Sequence, residues 1–324
     1  MTRAVRIHEH GGPEVLKLEE VALPPPGPGE VRLRHEYVGL NFIDVYQRTG
    51  LYPLPLPAVL GQEGAGAVVA LGADVVGLEV GDRVAYAGLT GAYAEERNAP
   101  AATLVPLPDD IDGRSAAAMM LKGMTAEYLL RRCCRVTAGD TILFHAAAGG
   151  VGLIACQWAK ALGARVIGTV STEEKAVLAR AHGCDEVVVT SASDFAPVVR
   201  ELTAGRGADV VYDSVGQATF DGSLSCLKPR GTLVLFGQSS GKVPPFDLGR
   251  LGGDKSHFVT RPSLGAYVAT RDELLACAAA LFEVVAKGAV RVPAPRVVAL
   301  ADVAQAHRDL ESRKTTGSTV LALR

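Results

Sequence analysis

Residues His145 to Gly152 read HAAAGGVG. Before them, Thr141-Ile142-Leu143-Phe144 is a short apolar run of β-formers. After them, Val151 to Ala164 (VGLIACQWAKALGA) has the length and apolar spacing of a helix with a buried face. A glycine-rich turn between a strand and a helix suits a nucleotide pyrophosphate. Backbone N–H groups at the helix start point at the anion, and glycine lets the phosphate approach. Against the pattern G-x-G-x-x-G, Ala147 takes the first glycine position and Gly149 and Gly152 the other two. Gly149, Gly150, Val151 and Gly152 are therefore the expected cradle. An ordinary strand–helix turn is also glycine-rich, so the surrounding chain has to decide.

It does so by rhythm. Arg165 to Val170 (RVIGTV) reads as a second strand and Thr172 to His182 as a second helix. Glu186 to Val189 is a third strand and Ser193 to Thr203 a third helix. Asp209 to Tyr212, Thr232 to Phe236 and Ser256 to Thr260 complete six strands. Apolar strands alternating with helices predict a parallel sheet covered on both faces, and the glycine turn after the first strand makes it a Rossmann sheet.

The first 120 residues differ. A stiff turn, Pro24 to Glu30, precedes alternating Val31-Arg32-Leu33-Arg34. Gly61 to Leu71 is glycine-spaced, and Val80 to Val84 reads as a turn into a strand. Short strands punctuated by glycine predict a mostly β domain. At the other end a helix (Thr270 to Lys287), a strand (Arg291 to Val298), a helix (Ala301 to Arg313) and a last strand (Ser318 to Leu323) are expected to pack back on that domain. The fold class is thus α/β, a doubly wound parallel sheet inserted in a mostly β domain.

Composition sets further bounds. A chain of 324 residues suits two domains, and 48% hydrophobic residues with a mean hydropathy of +0.20 predict ample core. A net charge of −2 and a pI near 6.4 give no electrostatic case for nucleic acid or an anionic membrane. MTRAVRIHEHGGPE at the N-terminus lacks the apolar stretch of a signal peptide, and no run of about 18 apolar residues is present. The nearest, Leu274 to Val285, is broken by Glu283 and suits a buried helix. The six cysteines form no C-x-x-C pair, and reduced, buried thiols in a cytoplasmic protein are expected.

Eight segments in order resemble the medium-chain dehydrogenase/reductase superfamily, and within it the quinone oxidoreductase family that includes zeta-crystallin. They are His10 to Leu16 (HGGPEVL), Gly39 to Pro53 (GLNFIDVYQRTGLYP), Gly61 to Val68 (GQEGAGAV), Val80 to Tyr86 (VGDRVAY), Leu121 to Leu130 (LKGMTAEYLL), HAAAGGVG, Val211 to Gly216 (VYDSVG) and Val259 to Leu264 (VTRPSL). The resemblance implies a GroES-like catalytic domain at 1–122 and 263–324, and an NADPH-binding Rossmann domain at 123–262. Zinc alcohol dehydrogenases of the superfamily need a cysteine where Asn41 stands and a histidine where Gln62 stands, beside Glu63. The four clustered cysteines of their structural zinc lobe are missing too. Asn and Gln amides are poor zinc ligands, so no metal is expected.

An NAD-binding Rossmann fold usually has an acid about 20 residues past the glycine turn. That count lands on Val170, Ser171 and Thr172. Ser171 can hydrogen-bond a 2′-phosphate and Lys175 can pair with it. In the family resembled, Arg313 matches a position that reaches the same phosphate, and a tyrosine helps hold it where Thr190 stands here. NADPH is the expected cofactor. The alternatives are that Lys175 and Arg313 are solvated surface charges and that Glu173 takes the ribose of NAD.

The resemblance further implies that Asn41, Asp44, Tyr46 and Tyr52 surround the nicotinamide, with cofactor contacts from Thr125, Val215, Phe236, Gln238, Ser239 and Thr260. An Asn amide can bond the cofactor or an acceptor carbonyl, and a Tyr phenol can donate a proton or stack on a ring. Asn41, Tyr46 and Tyr52 are the catalytic candidates. Ordinary packing would equally place the two tyrosines, and a helix cap would place Asp44. Gly237 to Gly241 (GQSSG) fits the serine-hydrolase elbow, but Pro244 and Pro245 oppose the helix it needs. His145 is expected to be a hydrogen-bonded strand-end residue.

No general-base constellation stands out, which suits NADPH-dependent reduction of quinones. The alternatives are reduction of the C=C bond of α,β-unsaturated ketones or aldehydes, and a non-catalytic NADPH-binding structural or RNA-binding role. The last strand of the order, at 256–262, should form the sheet edge and, as in the family resembled, pair two copies into a homodimer.

Overall fold

The computed structural model describes residues 1–323. The chain forms two units. One comprises Met1–Met124, Val268–Phe282 and Val292–Arg324; the other comprises Thr125–Tyr267 and Glu283–Arg291. The stretch 283–291 thus groups with the second unit, whereas the sequence reading keeps it with the first.

The second unit holds a six-stranded parallel sheet. Its order is Glu186–Val189, Arg165–Val170, Thr141–Phe144, Ala208–Asp213, Leu227–Leu235, Phe258–Thr260. In chain order that is 3-2-1-4-5-6, the Rossmann arrangement. Thr141–Phe144 is buried along its whole length, as the centre of a sheet covered on both faces requires. Local signals start the helices. Thr172 accepts from the Lys175 N–H to cap Glu173–Ala181, whose first turn is acidic and last turn basic. Asp194 likewise caps Phe195–Leu202. Leu143, Ile167, Val199, Val211, Phe220 and Leu233 form the core on one face.

The first unit is mostly β. Seven strands build its main sheet, ordered Arg296–Ala299, Thr319–Ala322, Glu30–Leu40, Glu63–Leu71, Arg83–Ala87, Val105–Pro106, with Glu96–Pro100 also paired to Glu30–Leu40. Thr319–Ala322 runs antiparallel to Tyr37–Leu40, so the end of the chain returns to the first unit. Lys17–Val21, Thr2–Ile7 and Ala58–Val59 make a smaller sheet. Both pack on one core that includes Val5, Ile7, Leu33, Val38, Leu60, Tyr86, Tyr93, Leu104 and Leu321.

Four elements depart from the sequence expectations. The strand expected at Arg291 to Val298 forms only at Arg296–Ala299, because Pro293 and Pro295 lack the N–H a ladder needs. The helix expected to reach Arg313 is a 3-10 turn, Leu300–Asp302, then Val303–Glu311. Arg313 lies beyond it with φ +59°. The fifth parallel strand starts early, at Leu227, and stops before Phe236. Ser256, with φ +44°, lies outside the edge strand Phe258–Thr260.

Candidate active site

Two clusters of predicted residues emerge, one in each unit. In the second unit, strand order reverses between Thr141–Phe144 and Ala208–Asp213, and ligands of open α/β sheets bind at the carboxyl ends flanking such a reversal. The glycine turn follows the first of these strands. Ala146 adopts φ +54°, and Gly149 is the N-cap of the helix Gly150–Ala161. A Cβ on Gly152 would meet the carbonyl oxygens of Ala146 and Ala147 at 2.6 Å. Only glycine therefore lets the helix start sit this close to the turn, with its N–H groups available to an anion.

The opposite wall is set by Asp213, which is fully buried. Its Oδ1 accepts from the N–H groups of Val215 (2.8 Å) and Gly216 (3.0 Å), and its Oδ2 from the Ser223 hydroxyl (2.8 Å). Ser223 gives its one hydrogen to Asp213, so His145 Nε2, 2.9 Å away, must donate to Ser223. His145 Nδ1 then accepts from Thr169 at 2.8 Å. Burial lowers the His145 pKa, which keeps the ring neutral and fixed as a structural tie across three strands.

Phe236, Gln238 and Ser239 follow the fifth strand, and the Ser239 N–H donates to Ser214 O at 3.2 Å. No helix follows Gly241; the next helical turn is Leu248–Leu251, so the hydrolase elbow is not formed. Ser171 follows the second strand and Lys175 lies one turn into the next helix. Thr190 turns its hydroxyl back to Val170 O at 3.1 Å. Thr260 ends the edge strand and Thr125 lies in the helix Gly113–Glu127. Arg313 belongs to the first unit, Ser171 and Lys175 to the second.

In the first unit, Asn41 caps the helix Phe42–Arg48. Its N–H donates to Asp44 Oδ2 at 2.8 Å, and the Asp44 N–H to Asn41 O at 3.1 Å. Asp44 is thus both a cap and a neighbour of the candidate Asn41. The Asn41 amide nitrogen donates to Glu63 Oε2 at 2.9 Å. Glu63 also accepts from the Leu121 N–H at 2.8 Å and from Lys122 Nζ at 2.7 Å. Glu63 and Lys122 are 0% and 5% exposed, so this is a buried ion pair. Tyr46 is buried and Tyr52 half-buried. Their rings meet edge to face at 5.2 Å, beside Phe42 at 6.2 Å from Tyr46.

Behind Asp44 runs a second chain of bonds. Tyr93 donates to Asp44 Oδ2 at 2.8 Å. Arg48 Nη1 donates to His307 Nδ1 at 3.0 Å, so His307 Nε2 carries the hydrogen and donates to the Tyr93 oxygen at 3.2 Å. Arg48, itself buried, grips Glu311 with two bonds of 2.7 and 3.0 Å. Burial holds His307 down at about 3, with Arg48 adding to the effect. Burial also pushes the Asp44 carboxyl up to about 7 against the bonds from Tyr93 and Asn41, and its Oδ1 has no partner.

The sequence reading did not include Lys122, Tyr93, Arg48, His307 or Asp213 among site residues, and it named Glu63 only as the neighbour of Gln62. His307 and Arg48 are 259 positions apart, and no local pattern links them.

The positions where zinc ligands would stand are committed elsewhere. Asn41 is held by Glu63, and the Gln62 amide donates to Thr90 at 2.5 Å. Neither amide supplies a thiolate or imidazole, so these residues do not fit a catalytic zinc. Among the described residues, no helix is long and apolar enough to cross a membrane.

The chain matches two family models: an alcohol dehydrogenase GroES-like domain over residues 27–109 and a zinc-binding dehydrogenase over residues 150–280. It is 53% identical to a quinone oxidoreductase of Pseudomonas aeruginosa over 323 residues, 99% of each chain. It is 45% identical to a 2-haloacrylate reductase of a Burkholderia species, again over 99% of each chain. The structure is similar to that of Escherichia coli quinone oxidoreductase complexed with NADPH, with a TM-score of 0.97, 46% identity and the whole of both chains covered.

Proposed function

Because the chain belongs to the quinone oxidoreductase family of the medium-chain dehydrogenase/reductase superfamily, we propose that it reduces quinones with NADPH and without a metal. One observation carries this reading: a glycine turn at the reversal point of a 3-2-1-4-5-6 sheet, in a chain similar along its whole length to an enzyme complexed with NADPH.

The cradle at Gly149 to Gly152 fits a pyrophosphate, since a side chain at Gly152 would collide with the turn. When bound, NADPH supplies the hydride. The chain positions it. N–H groups of Gly150, Val151 and Gly152 hold the pyrophosphate. The Ser171 hydroxyl and the Lys175 ammonium select the 2′-phosphate. Val215, Phe236, Gln238, Ser239, Thr260 and Thr125 complete the cofactor contacts of the second unit.

On the acceptor side, Asn41 is the central residue. One amide hydrogen is engaged by Glu63, and the other is offered to an acceptor carbonyl. Tyr46 and Tyr52 give an aromatic wall for a flat ring. Hydride transfer depends mainly on such positioning, and solvent supplies the proton.

A second reading is reduction of the C=C bond of α,β-unsaturated carbonyl compounds. The similarity to a 2-haloacrylate reductase favours it, a haloacrylate being an activated alkene. We further propose a cytoplasmic homodimer paired along residues 256–262, since Phe258 and Val259 are exposed on the edge strand. The test is NADPH oxidation across a panel of 1,4-quinones, enones and aldehydes. Turnover with quinones above the others supports the first reading. Turnover confined to enones replaces it with the second, and binding of NADPH without turnover of any acceptor overturns both.

A further inference from the structure

Three donors converge on the buried carboxylate of Glu63. Its Oε2 accepts from Lys122 Nζ at 2.7 Å and from the Asn41 amide at 2.9 Å, and its Oε1 from the Leu121 N–H at 2.8 Å. The donors come from different elements. Asn41 lies between the strand Glu30–Leu40 and the helix Phe42–Arg48, and Leu121 and Lys122 lie in the helix Gly113–Glu127. Glu63 itself opens the strand Glu63–Leu71. The fold keeps room for the carboxylate. A Cβ on Gly39 would collide with Glu63 Oε2 and lie 2.5 Å from Ala117 O, so glycine is what lets strand, carboxylate and helix come this close. The Asn41 backbone is pinned separately, its N–H donating to Asp44 Oδ2 at 2.8 Å.

We propose, on the reading that Asn41 meets a carbonyl acceptor, that Glu63 is a positioning residue for the reduction. It holds the Asn41 amide in the one orientation that presents an N–H to the carbonyl oxygen. Lys122 and the Leu121 N–H in turn hold Glu63.

The argument is one of hydrogen-bond polarity. An ionised carboxylate only accepts, so the end of Asn41 that turns to Glu63 is its NH2. The second hydrogen of that NH2 then has a fixed direction. Amide oxygen and nitrogen are alike in size, so packing alone does not separate this orientation from its inverse. A glutamine at 63 removes the distinction. With its oxygen on the Leu121 N–H, its own NH2 faces Asn41 and favours the amide turned over. The acceptor would then meet a lone pair where an N–H had been. A carbonyl oxygen gains negative charge as it is reduced, so the N–H matters most in the transition state. Its loss should fall on kcat more than on KM.

The chain has two asparagines, Asn41 and Asn98. Isotope-labelled asparagine therefore gives two side-chain amide signals in nuclear magnetic resonance of the full chain without NADPH. One Asn41 amide proton should be shifted downfield and protected from exchange. Both features should be lost in Glu63→Gln/Lys122→Met, which strands no charge, while the Asn98 signal stays in place. With NADPH and the carbonyl acceptor that the wild type turns over fastest, this variant should lose about tenfold to a hundredfold in kcat, with a smaller change in KM. Asn41→Asp/Glu63→Gln reverses the hydrogen bond while keeping shape and net charge. It should unfold in denaturant near the wild-type midpoint and yet stay slow. Turnover restored by this exchange would overturn the proposal, because the pair would then serve packing alone. An Asn41 signal indifferent to position 63 would overturn it too. Wild-type protein that turns over no carbonyl acceptor would overturn the underlying reading and the proposal with it. Equal kcat in wild type and Glu63→Gln/Lys122→Met would overturn the proposal alone.

Discussion

Lys122 places its ammonium 2.7 Å from the carboxylate of Glu63, with both side chains sealed from water. The same carboxylate oxygen holds the amide of Asn41. A buried pair contributes little net stability against well-packed apolar replacements, but losing one partner strands the other charge. Lys122→Met should therefore destabilise the protein by about 3–5 kcal/mol in denaturant unfolding. Glu63→Gln in the Lys122→Met background should restore much of the loss, because the unpaired charge is gone. Equal stability of the single and double variants would show that the charge is not the cause.

Asp44 predicts a pH dependence. Burial raises its folded-state pKa to about 7, above the unfolded value. The folded state thus favours the protonated form. That contribution is complete below the unfolded pKa, near 4, and is lost as pH rises through about 7. The thermal midpoint of the protein, relative to that of Asp44→Asn, should fall between pH 4 and 7 and level off above. A difference constant across that window would contradict the assignment.

Cofactor choice tests the second unit. Removing a charged partner of the 2′-phosphate costs about 1.5–3 kcal/mol. Lys175→Ala should weaken NADPH binding by roughly tenfold or more and leave NADH nearly unchanged. Equal losses for both cofactors in a fluorescence titration, or wild-type preference for NADH, would refute it.

Assembly is tested at the edge strand. Val259 pairs with Leu233 on one side only, and Phe258 and Val259 are exposed. Val259→Pro removes a backbone donor and should weaken a homodimer in sedimentation. A wild-type monomer at micromolar concentration, or a dimer indifferent to the substitution, would place the contact elsewhere or nowhere.

The Rossmann sheet was legible because each of its strands is a local apolar run bounded by a turn, and parallel order follows from the intervening helices. The glycine turn was legible for the same reason, since it lies between the first parallel strand and the helix Gly150–Ala161. The β unit was less so. Its strand pairings, such as Val320 with Gly39, join distant parts of the chain. Nothing near Asp44 announces Tyr93 or His307, since their bonds are made by tertiary packing rather than by spacing. Arg291 to Val298 was read as one strand although Pro293 and Pro295 lack the N–H that pairing needs. Lys122 lay inside a quoted motif, yet its partner Glu63 is 59 positions away.

Quinone turnover by protein freed of metal tests the central claim most directly. Asn41 and Gln62 stand where ligands would be needed, and both are engaged in hydrogen bonds. After prolonged chelation and metal analysis, NADPH oxidation with a 1,4-quinone should continue at the untreated rate. Loss of activity on chelation, with recovery on adding one equivalent of zinc, would contradict it.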